Sequence, residues 1–363
     1  MAEVLRIGFV GAGNVNFGGG EGPWDHASRL EKIDGIRVVG VADPVVERAE
    51  AVIRQRTQAL FRGARAYFDV RDLIREQRPD ALWVGVPPSA HGTRKPGADI
   101  ELRCVDAGIH MLIEKPLSAE PPEFVRPILE TLSRSGLIVS VGYMFRYAQA
   151  VETMRKILAE TPGGPRAFVG RYNCAYSEIR KPEWWDVRTS GGPMVEQATH
   201  FVDLARYLCG EVNPETVSKL NIQANETAGS LNDLPLRPDG QPFEADVPEA
   251  FRIPRSTVAM WKFETGAVGC LVYGTCLHGR EYSTSLEVWG DGLQMVLEDP
   301  YGECRLSVRR PHSESIEVVT FDDDPYLLED QIFVDAVRSL DPSGIRSPYD
   351  DAFRTFELTW LMA

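Results

Sequence analysis

Arg6-Ile7-Gly8-Phe9-Val10-Gly11-Ala12-Gly13-Asn14-Val15-Asn16 stands near the start of the chain. An apolar run of strand length, Arg6–Gly11, ends in glycine, and a second glycine follows one residue later. A dinucleotide site needs glycine there, because the turn is tight and the backbone must approach a pyrophosphate. A bare turn could use the same pair. The next apolar run, Arg37–Ala42, ends in Asp43-Pro44. A carboxylate at that strand end accepts from a ribose 2′-hydroxyl, and its charge repels a 2′-phosphate. Together these features predict a dinucleotide-binding domain that takes NAD in preference to NADP. Its contacts are expected from Gly11, Gly13, Asn14, Val15, Asn16, Asp43 and Pro44. The plainer alternative is that Asp43-Pro44 only starts a helix.

The fingerprint departs at its third glycine, where Asn16 stands, and Phe17-Gly18-Gly19-Gly20-Glu21-Gly22-Pro23 follows. This stretch reads as a loop inserted before a first helix that begins near Pro23-Trp24. Asp43 accordingly lies further from the glycines than the usual ~20 residues. The insert either closes over the phosphates or extends a substrate pocket.

Outward from this stretch, strands and helices alternate. Strands are expected at Arg6–Gly11, Arg37–Ala42, Ala81–Val86, His110–Glu114 and Leu137–Gly142. Helices are expected at Ala27–Ile33, Val45–Leu60, Gly97–Ala107 and Pro122–Ser133. Such alternation predicts a parallel sheet with right-handed crossovers. After about Tyr147 the pattern changes. Strand-like runs at Arg166–Ala175, Ser256–Glu264, Gly266–Gly274, Ser283–Trp289, Leu293–Glu298, Cys304–Arg309 and Ser315–Phe321 follow one another through turns. They predict a mainly antiparallel sheet. Helices are expected at Val151–Glu160 and Met194–Leu208, and the polar stretch Asn225–Arg252 reads as an excursion. The expected class is α/β: a Rossmann domain over 1–147, then an α+β domain over 148–363. The closing helices, Asp330–Leu340 and Pro348–Met362, either stay with the second domain or pack back on the first.

A chain of 363 residues with 43% hydrophobic and 25% charged residues has the balance of an ordinary two-domain globular protein. Its net charge of -14 disfavours nucleic acid and anionic membrane as partners. The basic stretch Arg54–Arg78 is diluted by acids and reads as the solvated face of helices. Six cysteines without Cys-x-x-Cys or zinc spacing point to free thiols in a reducing compartment, and no metal is expected. The first residues run straight into a strand without an apolar leader, and no apolar run approaches the ~20 residues that span a bilayer. A cytoplasmic location is expected.

Lys115 falls just past a strand's carboxyl end, where open α/β sheets bind ligands. A lysine there can hydrogen-bond a substrate oxygen and stabilise a developing alkoxide; a surface lysine is the alternative. Glu196 and His200 are four apart in an expected helix, so both project from one face. The histidine can take a hydroxyl proton while the carboxylate holds its tautomer. Alone, His200 would read as a buried core histidine. Tyr143, Arg146, Tyr172, Tyr176, Trp184, Trp185 and Arg188 form a candidate substrate shell, since aromatic faces stack on rings and arginine binds oxyanions or hydroxyls. Core packing is the commoner task for any single one of them.

Glu114-Lys115-Pro116, following Gly11-Ala12-Gly13 and Pro87-Pro88-Ser89-Ala90-His91, resembles the glucose–fructose oxidoreductase / inositol dehydrogenase / rhizopine catabolism (Gfo/Idh/MocA) family. Val141–Tyr147 and Gly191–Asp203 extend the resemblance over nearly the whole chain. It implies a Rossmann domain followed by a domain with a large open sheet, and a homodimer or homotetramer through that sheet. Sugars, cyclic polyols and their derivatives are the implied substrates. It implies that Lys115 is catalytic, often with a cis bond to Pro116. It adds Pro87, Pro88, Ser89, His91, Glu114, Lys115 and Pro116 to the cofactor contacts, although His91 serves equally as loop structure. Where the family carries Asp-x-x-x-His, this chain has Glu196, which either plays the aspartate's part or contacts substrate. Met144 departs from the family's usual asparagine or glutamine, and Asp203 is expected only to support. Two other functions stay open: a reductase of a non-sugar or aromatic-derived carbonyl, and a non-catalytic NAD(P)-binding sensor.

Overall fold

The computed structural model describes residues 4–19, 24–56, 58–279 and 282–363. The chain divides into two compact units. The first joins Met1–Tyr147 to Asp324–Phe353, and the second joins Ala148–Asp323 to Arg354–Ala363.

The first unit is built on six strands: β1 (Leu5–Val10), β2 (Ile36–Ala42), β3 (Arg65–Tyr67), β4 (Ala81–Val84), β5 (His110–Ile113) and β6 (Val139–Val141). They pair in parallel in the order β3-β2-β1-β4-β5-β6. The order reverses between β1 and β4, which is where such sheets open a crevice at their carboxyl ends. Ile7, Phe9, Val38, Val41, Leu82 and Trp83 are fully enclosed, as the continuous apolar runs require of strands covered on both faces.

The helices of this part are α1 (Asn14–Phe17), α2 (His26–Leu30), α3 (Val46–Gln55), α4 (Val70–Gln77), α5 (Ile100–Ala107) and α6 (Pro122–Ser135). Three of them correct the sequence reading. The first helix does not wait for Pro23-Trp24: Gly13 caps a single turn that starts at Asn14 and stops at Gly18, whose φ is 71°. The insert therefore interrupts the helical segment after its first turn. Helix α2 then begins at His26, with the Asp25 side chain accepting from Ser28 N. Gly20–Pro23 of the insert lie outside the described residues. Helix α3 ends at Gln55, five residues before the expected Leu60. Strand β3 and helix α4 occupy the basic stretch in which the sequence showed only helix surface. Of the three residues of β3 only Tyr67 is buried, too short a run to show alternation.

Helix α11 (Pro325–Ser339) belongs to the first unit, as does the start of α12 (Tyr349–Met362). Phe333 of α11 meets Trp83 of β4 edge-on, with ring centroids 5.1 Å apart. Both rings are buried.

In the second unit, α7 (Gln149–Glu160) precedes β7 (Ala167–Ala175), and three helices follow: α8 (Val187–Ser190), α9 (Pro193–Glu196) and α10 (Thr199–Cys209). Then come β8 (Val212–Ile222), β9 (Ser256–Phe263), β10 (Val268–Leu277), β11 (Tyr282–Trp289), β12 (Gln294–Glu298), β13 (Arg305–Arg309) and β14 (Glu317–Thr320). The sheet order is β14-β13-β12-β11-β7-β10-β9-β8. All its pairings are antiparallel except that of β7 with β10. Strand β8 has no counterpart among the expected strands: it is an edge strand with an irregular register between Asn213 and Ser218 and no clean alternation of burial. The expected helix Met194–Leu208 is two helices. The amides of Gln197 and Ala198 both reach Pro193 O, at 3.0 Å, and the helix restarts at Thr199.

One face of this sheet is core: Phe168, Tyr172, Leu271, Tyr273, Leu286, Val288, Met295 and Leu306 are buried. All six cysteines are free, and only Cys276 is exposed. Among the described residues no helix is long and apolar enough to cross a membrane, and no group of three or more His, Cys, Asp or Glu is placed to hold a metal ion.

Candidate active site

The glycine turn is closed by Asp43. Its Oδ2 accepts from Ala12 N at 2.9 Å and its Oδ1 from Val45 N at 2.8 Å, and the side chain is buried. Gly11 holds φ +92°, and a Cβ there would lie 2.4 Å from Gly85 O, so no side chain fits. At Gly13 a Cβ would meet nothing within 4 Å. That open approach, beside the start of α1, is the cradle a pyrophosphate requires. These residues fit a nicotinamide dinucleotide.

Asn16 takes a different part from the one expected. It is buried, and its Nδ2 donates to Val10 O at 3.0 Å and Gly11 O at 2.7 Å. A Cβ on Gly85 would come within 2.6 Å of Asn16 Oδ1. The fingerprint's third glycine lets helix and strand pack closely. Here a glycine at the end of β4 makes that room, and the asparagine ties α1 to β1 from below.

Past β4, a 3-10 turn over Pro88–Ala90 follows Pro87. Pro87 and Ser89 are exposed at this strand end. His91 is buried, its Nδ1 lying 2.8 Å from Glu101 Oε1, while Gly92 N donates to Glu101 Oε2 at 3.0 Å. That histidine fastens the loop to α5.

Lys115 sits half-buried immediately past β5, joined to Pro116 by a cis peptide bond. Glu114 before it is buried against Gly142, where a Cβ would be 2.8 Å from Glu114 Oε1. His26 Nε2 lies 3.0 Å from the same Oε1, and His26 Nδ1 lies 2.8 Å from Asp330 Oδ1. Trp83 Nε1 also donates to Asp330 Oδ1, at 2.8 Å. Burial opposes a charge on His26, but Asp330 and Glu114 outweigh it and hold its pKa well above the ordinary value. Nothing in the sequence marks this cluster: His26 follows the irregular insert, and Asp330 lies 304 residues away.

Of the expected substrate shell, Tyr143 and Arg146 fall in the first unit. Tyr143 is buried. Arg146 is buried too, and its guanidinium donates to Arg346 O at 2.6 Å and pairs with Asp351 at 2.5 Å. It holds the returning C-terminal segment. Met144, in the turn Met144–Tyr147, is buried.

The remaining shell residues lie in the second unit with Glu196 and His200. Glu196 ends α9 and is partly exposed; His200 lies in the first turn of α10 and is buried. The break between these helices means that the pair does not share one helical face, as the four-residue spacing predicted. Around His200 stands a group of aromatic rings. Tyr301 meets it edge-on at 6.2 Å. Tyr172 meets Phe201 at 5.4 Å, Tyr282 at 5.8 Å and Tyr301 at 6.1 Å, and stacks on Tyr273 at 5.7 Å. Tyr273 Oη donates to Gln197 Oε1 at 2.5 Å. Burial, with a contribution from Glu196, keeps the Tyr301 hydroxyl protonated well beyond its usual range. Tyr273 and Tyr301 were not singled out in the sequence, since a tyrosine in a strand or turn reads as core.

The other candidates hold local structure. Trp185 is fully buried, its Nε1 donates to Ile179 O at 3.0 Å, and Trp184 meets it edge-on at 4.9 Å. Tyr176 is buried, with Oη 3.3 Å from His278 Nε2. Arg188 is committed to Asp186, Nε to Oδ1 at 2.9 Å, and its guanidinium covers Phe251. Asp203 accepts from Thr355 at 2.9 Å.

Comparison with known proteins agrees with this architecture. A sequence profile described as "Oxidoreductase family, NAD-binding Rossmann fold" matches residues 5–143, and one for an oxidoreductase C-terminal domain matches residues 146–293. An uncharacterized protein of Schizosaccharomyces pombe is 36% identical over 98% of this chain and 95% of its own length. The myo-inositol 2-dehydrogenase of Thermotoga maritima is 22% identical over 94% of this chain and 90% of its own. Among solved structures, levoglucosan dehydrogenase in complex with NADH and levoglucosan superposes with a TM-score of 0.76 at 19% identity, covering 99% of this chain and 96% of that one.

Proposed function

The chain belongs to the Gfo/Idh/MocA oxidoreductases with an NAD-binding Rossmann fold, and from that premise we propose that it oxidises or reduces a secondary alcohol/ketone of a sugar, a cyclic polyol or a related small ring. The observation that carries the proposal is the place of Lys115, at the carboxyl end of β5, in the sheet whose β1 end carries the glycine turn. NAD supplies the hydride acceptor when bound. Lys115 hydrogen-bonds the reacting oxygen and stabilises its charge as the carbon–hydrogen bond breaks. His200 accepts the hydroxyl proton, and Glu196 steadies the resulting imidazolium or binds a substrate hydroxyl. The inositol and levoglucosan dehydrogenases among the similar proteins support a ring-borne hydroxyl. NAD is favoured over NADP because the Asp43 carboxylate, just past the end of β2, carries a charge that would repel a 2′-phosphate.

The test is NADH formation against a panel of sugars, cyclitols and anhydrosugars, with Lys115→Ala as the control. Turnover with one of them, falling about 10²-fold or more in the variant, is expected. Tight NAD binding without turnover on any of the panel would sink the proposal and favour a sensor. The tyrosines around His200 favour one alternative, an aromatic-derived ring as substrate, so the panel includes aromatic alcohols and ketones.

A further inference from the structure

The imidazole of His26 lies between two carboxylates. Its Nδ1 is 2.8 Å from Asp330 Oδ1 and its Nε2 is 3.0 Å from Glu114 Oε1. A carboxylate only accepts, and a neutral imidazole has a single N–H. With a neutral ring, one of these contacts would set lone pair against lone pair. Trp83 Nε1 donates to the same Asp330 oxygen at 2.8 Å. The Glu114 carboxyl group lies against Gly142, where a Cβ would be 2.8 Å from its Oε1, and the backbone N of Glu114 donates to Val84 O at 2.9 Å. Lys115 is the next residue. Asp330 and His26 come from α11 and α2, so three segments distant in sequence meet in this cluster.

We propose that His26 is a positioning residue for Lys115: as an imidazolium bridging Glu114 and Asp330, it fixes the end of β5 from which Lys115 projects. The proposal rests on the reading of Lys115 given above. The charges that bear on His26 are those of Asp330 on α11 and of Glu114 just past β5. Other charged groups on the packed elements are engaged elsewhere or stand beside it. Arg29 of α2 pairs with Asp324 at the start of α11, and Asp25 before α2 pairs with Arg56. Glu329, next to Asp330, is buried. The carboxylates outweigh burial and keep the ring charged above its ordinary range.

The experiment uses the full chain with NAD bound. Ring nitrogen resonances of His26 should show both nitrogens protonated at pH 8, and Asp330→Asn should lower the pH at which the ring titrates by at least about one unit. A neutral ring at pH 8, or a titration unmoved by Asp330→Asn, would overturn the bridge. In His26→Gln, which keeps the polarity and loses the charge, the 13C-methylated Lys115 amine should shift its resonance. With a substrate from the panel, kcat should fall about tenfold or more while the KM for NAD changes less than about threefold. An unmoved Lys115 resonance, or an unchanged kcat, leaves His26 a structural residue only. If no substrate is found, the two resonance measurements still decide, so failure of this inference is distinct from failure of the proposed reaction. If His26→Gln does not fold, Asp330→Asn carries the Lys115 measurement as well.

Discussion

Asp43 does two things with one carboxylate. Both oxygens accept from backbone amides of the turn, and under the proposed function its charge also disfavours a 2′-phosphate. Asp43→Asn separates these. One of its oxygens becomes an NH2 group facing an N–H donor, which should cost about 1–3 kcal/mol, readable as a lower melting temperature. Loss of charge should also lower the NAD-to-NADP ratio of kcat/KM about tenfold. A fall in stability with an unchanged ratio would leave Asp43 a builder of the turn and nothing more. His26 carries a second prediction at this scale. Its folded pKa is raised, so its contribution is fully present below the unfolded value of about 6.5 and is lost as pH rises through the folded value. Wild type should exceed His26→Gln in stability most at mildly acidic pH. Denaturant midpoints measured across pH should show the gap closing toward alkaline pH. A gap that widened with pH would contradict a charged ring.

At the scale of elements, strands enclosed on both faces were easy to see in the sequence, because β1, β2, β4 and β5 are mostly apolar runs, with polar or charged residues only near their starts, at Arg6, Arg37 and His110. So were Gly11, Asp43 and Lys115, which stand at strand ends and are marked by local chemistry. Strands β3 and β8 were hidden, one by its length and the other by its exposed edge. The break between α9 and α10 was hidden as well, since the residues there are compatible with a continuous helix and tertiary structure sets the interruption. The cluster at His26 joins residues with no local pattern at all. Helix α11 was visible as a helix, while its membership of the first unit shows only in contacts such as Phe333 on Trp83. Phe333→Ala removes a fully buried ring from that contact and should destabilise the first unit by about 3–5 kcal/mol, measured by denaturant unfolding. A loss below about 1 kcal/mol would mean that α11 adds little to the core of the first unit.

At the scale of the whole molecule, the second unit's sheet has one covered face and one open one. Strand register puts Leu220, Val258, Met260, Val268 and Val272 of β8, β9 and β10 on the same side. Leu220 is 75% exposed, Met260 52%, Val268 49% and Val272 41%, against fully buried neighbours such as Leu271 on the other side. Exposed apolar side chains grouped in this way are a feature that interaction surfaces share. We propose a second copy of this chain as its occupant, because a flat sheet face pairs with itself about a two-fold axis. A stable contact needs about 1,200–2,000 Å² of buried surface, which the strands of an eight-stranded sheet can supply. The net charge of -14 makes two copies repel at long range. Association should therefore strengthen with added salt, which screens that repulsion and leaves apolar burial intact. Sedimentation of the wild-type chain at micromolar concentration should show a dimer or tetramer. Met260→Asp combined with Val272→Asp should shift it toward monomer, since both side chains are exposed and each copy would bring its own new charges to the contact. Its melting at high dilution, where both proteins are monomeric, should change little. A wild-type monomer at all salt concentrations, or an assembly indifferent to these two charges, would place the contact elsewhere or remove it.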